Sequence, residues 1–374
     1  MNPISRRSFA AAVTLPLALS PARAQAPSAA ARWDSIPHWM ELASVPGAVV
    51  AIIAKGKLAG IHPFGVCRTG EPPTIDDSTV FEAASLSKPV FASAILKLVR
   101  DKALDLDRPL HQILPLCADP RAQVITARHV LSHTTGLQNW RNQRSPEFTF
   151  AFPAGEKFSY SGEGYFYLQR VVEKITATPF ARYMRETVLA PLAMARSSYI
   201  YSPGPNSASP HDSRLRPFNQ VKAGNTAKMA ELATEWKKPR EDWLYEDLER
   251  AMPRLNLPVL ADNMQPNAAA TLMTTASDYA SFLLHAFSLD AMRQPQVRIN
   301  SDLSWGLGCG LETSGGRQWF WHWGDNPGFK NFFIADAKSG DAALVFTNAD
   351  GGAKLYQRIV RQALDRDFSA FLWI

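Results

Sequence analysis

Apolar positions along the chain change period three times, and the changes divide it into strand, helix, strand and helix regions. Gly47-Ala48-Val49-Val50-Ala51-Ile52-Ile53-Ala54 is a continuous apolar run that stops at Lys55-Gly56-Lys57. It predicts a central strand turning into a second strand from Leu58 to Val66. Apolar spacing then lengthens to about four: Val90, Ala94, Leu98 and Val99 predict a helix from Ser85 to Leu106. Further helices are expected over Ala127–Leu131, Tyr165–Ile175 and Phe180–Leu189, the last stopping near Pro191, and a helical pattern returns over Asn267–Phe287. After Trp305 the segments Leu307–Leu311, Trp319–Trp323, Asn331–Ala337 and Ala342–Asn348 are short and bounded by Gly, Asn and Asp, as strands are. An amphipathic helix from Ala353 to about Arg366 closes the chain. Strands at both ends with helices between predict an α+β fold, in which one antiparallel sheet drawn from both ends is flanked by terminal helices. A helical lobe of about 85–290 is inserted, leaving a cleft between lobes.

Two stretches stand apart. Residues 201–260 begin with Ser202-Pro203-Gly204-Pro205-Asn206-Ser207 and then mix charges with Trp236, Trp243 and Tyr245. They are expected as an elaboration over the helical lobe, whose aromatic residues either line the cleft or pack the surface. Residues 1–26 are expected to be an address. An Arg6-Arg7 pair, an apolar core of 11 residues from Phe9 to Leu19 and Ala22-Arg23-Ala24 describe a twin-arginine export signal. That core is shorter than the roughly 20 residues a membrane span needs, so no stable membrane anchor is expected. The implied location is periplasmic or secreted.

Composition narrows the partners. Net charge is +6, and losing Arg6, Arg7 and Arg23 with no acid leaves +3. Without a dense basic stripe, nucleic acid is not an expected partner. Cys67, Cys117 and Cys309 are odd in number and widely spaced, which fits neither a disulfide framework nor a metal knuckle. Buried free thiols are expected, with a single bridge formed after export as the alternative.

Three segments carry possible chemistry. Phe81-Glu82-Ala83-Ala84-Ser85-Leu86-Ser87-Lys88 holds a Ser-x-x-Lys. On a helix, residues three apart share a face, so the Lys88 amine can reach the Ser85 hydroxyl. Serine needs such a neighbour to take its proton, and burial makes lysine able to do so. Alone, the motif reads equally as a capping serine beside a solvated lysine. Phe158-Ser159-Tyr160-Ser161-Gly162 places a Tyr on a small-residue turn before a helix, and Trp321-His322-Trp323-Gly324-Asp325 places a His-x-Gly on a strand, where Gly324 allows a substrate backbone close approach.

Taken in order, these segments resemble the penicillin-recognising serine hydrolases, and within them the class C β-lactamase branch, with its family VIII carboxylesterases, D-alanyl-D-alanine carboxypeptidases and D-aminopeptidases. Leu131-Ser132-His133-Thr134-Thr135-Gly136-Leu137, Pro46-Gly47-Ala48 and Thr274-Thr275-Ala276-Ser277-Asp278-Tyr279 extend the likeness from about Val45 to the end, leaving 201–260 unmatched. The resemblance implies a β-lactamase/transpeptidase-like fold and a covalent acyl-enzyme on Ser85. It implies that Lys88 and Tyr160 move the proton, and that the backbone N–H groups of Ser85 and Asp325 form an oxyanion hole. It implies substrate contacts at Gly162, His322, Trp323 and Gly324, and no metal or organic cofactor.

Two positions depart from the family. Its Tyr-x-Asn reads Tyr160-Ser161-Gly162, and its Lys-Thr-Gly strand carries His322 where the cation stands, a group only partly charged near neutrality. Both weaken recognition of amides and carboxylates. The expected substrate is therefore a small ester, with a D-amino-acid peptidase or weak β-lactamase as the alternative; a non-catalytic cell-wall or peptide binder is the reading from another class.

Overall fold

The apolar run Gly47–Ala54 (β1) is paired on both sides: with Lys57–Gly65 (β2) across the Lys55-Gly56 turn, and with a strand almost 300 residues later. In the computed structural model, which describes residues 33–72, 74–141, 146–218, 220–257 and 265–374, these strands belong to an antiparallel sheet. After the short β3 (Phe81–Glu82) and β4 (Met273–Thr274), the remaining strands are β5 (Val297–Arg298), β6 (Leu303–Trp305), β7 (Gly310–Ser314), β8 (Arg317–Asn326), β9 (Phe329–Asp336) and β10 (Asp341–Thr347). Eight of these strands lie in the order β2-β1-β10-β9-β8-β7-β6-β5, while β3 and β4 pair separately. The sheet is thus built from both chain ends.

Helices cover both faces, and the pleat shows which is where. Adjacent residues of a strand point to opposite faces. Phe332 stacks on Tyr356 of the helix Gly352–Leu364, whereas Phe333 meets Tyr279 of the helix Ala276–Ala286, so these two helices lie on opposite sides. In chain order the helices are α1 (Ile36–Ala43), α2 (Ser87–Arg100), α3 (Ala127–Leu131), α4 (Gly162–Thr176), α5 (Phe180–Met184), α6 (Gln220–Glu235), α7 (Tyr245–Ala251), α8 (Ala276–Ala286), α9 (Gly352–Leu364) and α10 (Ala370–Trp373). Between the α8 face of the sheet and helices α2 to α5 lies the main core, which takes in Phe91, Tyr165, Phe180, Tyr279 and Phe333. Residues 35–374 form one compact unit.

Several boundaries differ from the pattern. The helix expected from Ser85 to Leu106 starts at Ser87, after a 3-10 turn over Ala84–Leu86, and stops at Arg100. The one over Phe180–Leu189 keeps α-geometry to Met184 and then widens into a π-turn, Arg185–Leu189. Asn267–Phe287 is helical only from Ala276. Before it, the Asn267 side chain accepts from the N–H groups of Ala269 and Ala270, and residues 273–274 pair with β3. That side-chain competition for backbone N–H groups breaks the helix the apolar spacing suggests. The strand expected from Leu307 begins only at Gly310, and residues 307–309 form the bend between β6 and β7. The three cysteines are free; Cys67 and Cys309 are buried, but Cys117 only partly. The export signal expected over residues 1–26 lies outside the described residues. No helix among the described residues is long and apolar enough to cross a membrane.

Candidate active site

Ser85 lies in the tight turn between β3 and α2, and that turn is pinned from below. Ser87 Oγ donates to Ala84 O at 2.6 Å and accepts from the Leu272 N–H at 3.0 Å. The Tyr279 and Tyr199 hydroxyls donate to Leu86 O and Ser87 O at 3.0 and 2.9 Å. Ala84 takes the left-handed conformation, φ +53°, which a non-glycine residue holds only when its surroundings impose it. Three residues on, at the second position of α2, Lys88 is fully buried. Its Nζ donates to Ser85 Oγ at 3.0 Å and to Ala269 O at 2.8 Å. The rings of Tyr160, Tyr165 and Trp140 surround it at 4.7, 5.5 and 5.9 Å. Such ring faces favour a cation by about 0.5–2 kcal/mol each, but burying an ammonium costs several kcal/mol. Burial wins, and the Lys88 amine is held well below its ordinary pKa of 10.5. A neutral amine at 3.0 Å can accept the Ser85 proton.

Tyr160 is placed by His133. The His133 carbonyl accepts from the Ser159 N–H at 2.7 Å and its Nδ1 accepts from the Ser161 N–H at 3.0 Å, so both neighbours of Tyr160 are tied to one residue. The His133 ring then stacks on the Tyr160 ring at 4.1 Å. Acceptance at Nδ1 assigns the His133 proton to Nε2, and burial with Lys88 nearby holds this histidine neutral. Ser161 caps α4 through the Gly164 N–H at 3.1 Å. The Tyr160 hydroxyl faces Ser85 closely enough to be acidified by it, but it makes no well-formed hydrogen bond among the described residues. Burial outweighs that contact and raises its pKa well above 10.

Strand β8 forms the opposite wall. Gly324 does give close approach, but to the chain itself: a Cβ there would meet Ala83 O, beside the Ser85 turn, at 2.4 Å. The two-residue turn Pro327-Gly328 makes Asn326–Phe329 the hydrogen-bonded closing pair. By alternation, the Trp323 and Asp325 N–H groups point away from β9, on the side where β7 has already ended opposite Trp321. His322 differs from the partly charged group expected. It is fully buried, its Nδ1 hydrogen-bonds Trp323 O at 2.7 Å, and its pKa falls to about 3, through burial first and Lys88 second. It is neutral at physiological pH, and its Nε2 has no partner among the described residues. Trp323 is half-buried and packs on Tyr160 at 4.8 Å.

Gly162 does not offer substrate a surface. A Cβ on it would stand 2.3 Å from Trp140, whose indole fills the space that the missing asparagine leaves. Trp140 and Ala269 O, the latter a backbone group with no side-chain signature, are parts of the site that the sequence motifs did not single out. The aromatic residues of 201–260 lie elsewhere. Trp236 and Trp243 pack on each other at 5.0 Å in a small separate core, and Tyr245 sits under the Arg170 guanidinium. What this stretch does contribute is Lys222, paired at 2.7 Å with the buried carboxylate of Glu82, three residues before Ser85. Among the described residues, no cluster of three or more His, Cys, Asp or Glu could hold a metal.

The family model described as Beta-lactamase matches residues 36–367, nearly all of the described chain. The chain belongs to the beta-lactamase family. Within it, the chain is 26% identical to Esterase EstB of Burkholderia gladioli over 227 residues, 51% of this chain and 57% of that protein. It is 25% identical to Protein flp of Staphylococcus aureus (strain NCTC 8325 / PS 47) over 196 residues, 47% of this chain and 39% of that one. The chain thus spans roughly two fifths to somewhat over half of these relatives. Among solved structures, the D-alanine carboxypeptidase AmpC from Burkholderia cenocepacia superposes with a TM-score of 0.71 at 14% identity, covering 89% of this chain and 97% of that one. A class C beta-lactamase gives 0.70 at 17%, covering 89% and 94%. At such identities these two establish the fold, that of β-lactamases and transpeptidases. Family members are serine hydrolases that act on esters, amides or peptides.

Proposed function

We propose that this protein hydrolyses small carboxylic esters through an acyl-enzyme on Ser85. The observation that carries the reading is the Lys88 amine, fully buried and 3.0 Å from Ser85 Oγ, with its pKa held well down. The bond from Ser85 Oγ to the substrate carbonyl carbon forms as the hydroxyl proton passes to Lys88 Nζ. The Ser85 and Asp325 N–H groups receive the oxyanion, a role supported by the free direction of the Asp325 N–H beyond β7. The bond to the leaving alkoxide then breaks, and the Lys88 proton reaches that oxygen through the Tyr160 hydroxyl. With its pKa raised, Tyr160 stays a phenol and serves as relay rather than base. Water repeats the sequence on the acyl-enzyme and releases the acid. An ester is favoured over a peptide or a β-lactam because His322 is neutral and an indole stands beside Gly162. Neither residue supplies the charge or amide those substrates would meet. Export through the twin-arginine route, read from residues 1–26, is proposed with it.

The test is mass spectrometry of the full chain after a fluorophosphonate, a penicillin, a p-nitrophenyl ester and a D-amino-acid peptide, for wild type and Ser85→Ala. One adduct on Ser85, absent from the variant, with turnover of the ester alone, is the expected result. Fastest reaction with penicillin would make it a β-lactamase, and turnover of D-amino-acid peptides alone would make it a peptidase. A folded protein that takes no adduct would be a binding protein of the same fold.

A further inference from the structure

We propose that Trp140 is the specificity-determining wall of this site and selects substrates whose acyl part is apolar, aryl or alkyl, over those bearing an acylamide. The inference rests on the Ser85 acyl-enzyme proposed above and names its substrate class. The indole is held in place by both neighbours in the chain. Asn139 O accepts from the N–H groups of Gly162 and Glu163 at 3.0 and 2.9 Å, and Asn139 Oδ1 accepts from Gly162 at 2.8 Å. On the other side, the Arg141 N–H donates to Glu163 Oε1 at 2.8 Å and its guanidinium lies 3.2 Å from Oε2 of the same buried carboxylate. The Trp140 ring is therefore clamped over the start of α4, against Gly162, while remaining only partly buried. Its centroid is 5.9 Å from Lys88 Nζ, which itself touches Ser85 Oγ. A group attached to Ser85 lies within reach of that ring. The leaving oxygen must depart toward the Tyr160 hydroxyl that protonates it, so the part lying over Trp140 is the acyl part. A rigid aromatic face gains from apolar contact and gives an amide no hydrogen-bond partner.

The experiment compares second-order rates of Ser85 labelling by two fluorophosphonates, one carrying a phenylethyl and one a methyl group on phosphorus, in wild type, Trp140→Ala and Trp140→Phe. The phosphorus substituent stays on the serine and so reports the acyl side. Wild type is expected to prefer the phenylethyl probe roughly ten- to a hundredfold. Trp140→Ala should lose most of that ratio and Trp140→Phe should keep most of it. An unchanged ratio in Trp140→Ala, or an equal loss with both probes, overturns the proposal and leaves Trp140 a packing residue. If wild type labels on Ser85 yet turns over no ester, the esterase reading fails while the ratio still decides the role of Trp140.

Discussion

Among the described residues the buried Tyr160 hydroxyl has no well-formed hydrogen bond, and such a group is a cost to the fold unless the reaction uses it. Phenylalanine keeps the stack on His133 and removes that cost. Tyr160→Phe is therefore expected to lower kcat/KM on an ester by about 10²–10⁴-fold while raising stability by about 1 kcal/mol. Steady-state kinetics and urea unfolding read the two effects separately. Turnover near wild type would remove Tyr160 from the proton path, and lost stability would mean its hydroxyl is well bonded in solution. At this scale the meeting of Ser85, Lys88 and Tyr160 was legible, because the order of the Ser-x-x-Lys, the Tyr turn and the His-x-Gly strand gathers them where no single motif does. Trp140 was not, since it meets Gly162 only after the chain doubles back across 22 residues, and one more aromatic residue reads as core. His133 was visible within its motif, but its hold on both neighbours of Tyr160 exists only in three dimensions. Asparagine at position 162, which local comparison with the family suggests as a repair, would collide with the indole.

Among elements, the long apolar strands were readable and the short ones were not. Gly47–Ala54 is apolar at every position because both faces of β1 are covered, and no period is needed to see it. β5 and β6, of two and three residues, carry too few positions to show alternation. Helices α6 and α7 of the 201–260 stretch have their own small core of Met229, Leu232, Trp243, Leu248, Ala251, Met252 and Leu255. The ion pair between Lys222 and the buried carboxylate of Glu82 ties this stretch to the strand that leads into the Ser85 turn. Trp243→Ala should remove about 3–5 kcal/mol of packing from that small core and leave the main core untouched. Limited proteolysis is expected to cut within 220–257 at least about a hundredfold faster, with the main melting transition within about 2 °C of wild type. A single cooperative transition shifted downward as a whole would show instead that the stretch and the body unfold together.

Over the whole molecule, many ionisable groups have been taken out of water, and they pull stability in opposite directions with pH. His62, His129, His133, His211, His285 and His322 all have pKa values lowered by burial, His133 and His322 the most. A histidine lowered in the fold stays neutral there while the unfolded chain takes up a proton. Its contribution is therefore complete above pH 6.5 and is lost as pH falls toward the folded value, about 3 for His322. Glu173 works the other way: burial lifts it from 4.5 to about 7, so its contribution is complete below 4.5 and is lost as pH rises through 7. Each fully shifted group moves stability by about 1.4 kcal/mol per pH unit. Six lowered histidines outnumber the two raised carboxyls, Glu163 and Glu173, and unfolding free energy should fall between about pH 6.5 and 4.5. That loss begins well above the range where exposed carboxylates titrate. Glu173→Gln keeps an oxygen for the Phe180 N–H and removes the opposing carboxyl, so the fall should steepen by about one proton's worth. Urea unfolding at half-unit intervals reads both slopes. A stability that stays level or rises as pH falls through this range would mean that the buried histidines take up protons within the fold, and a charged His322 would restore near Lys88 the cation that the family's Lys-Thr-Gly strand carries.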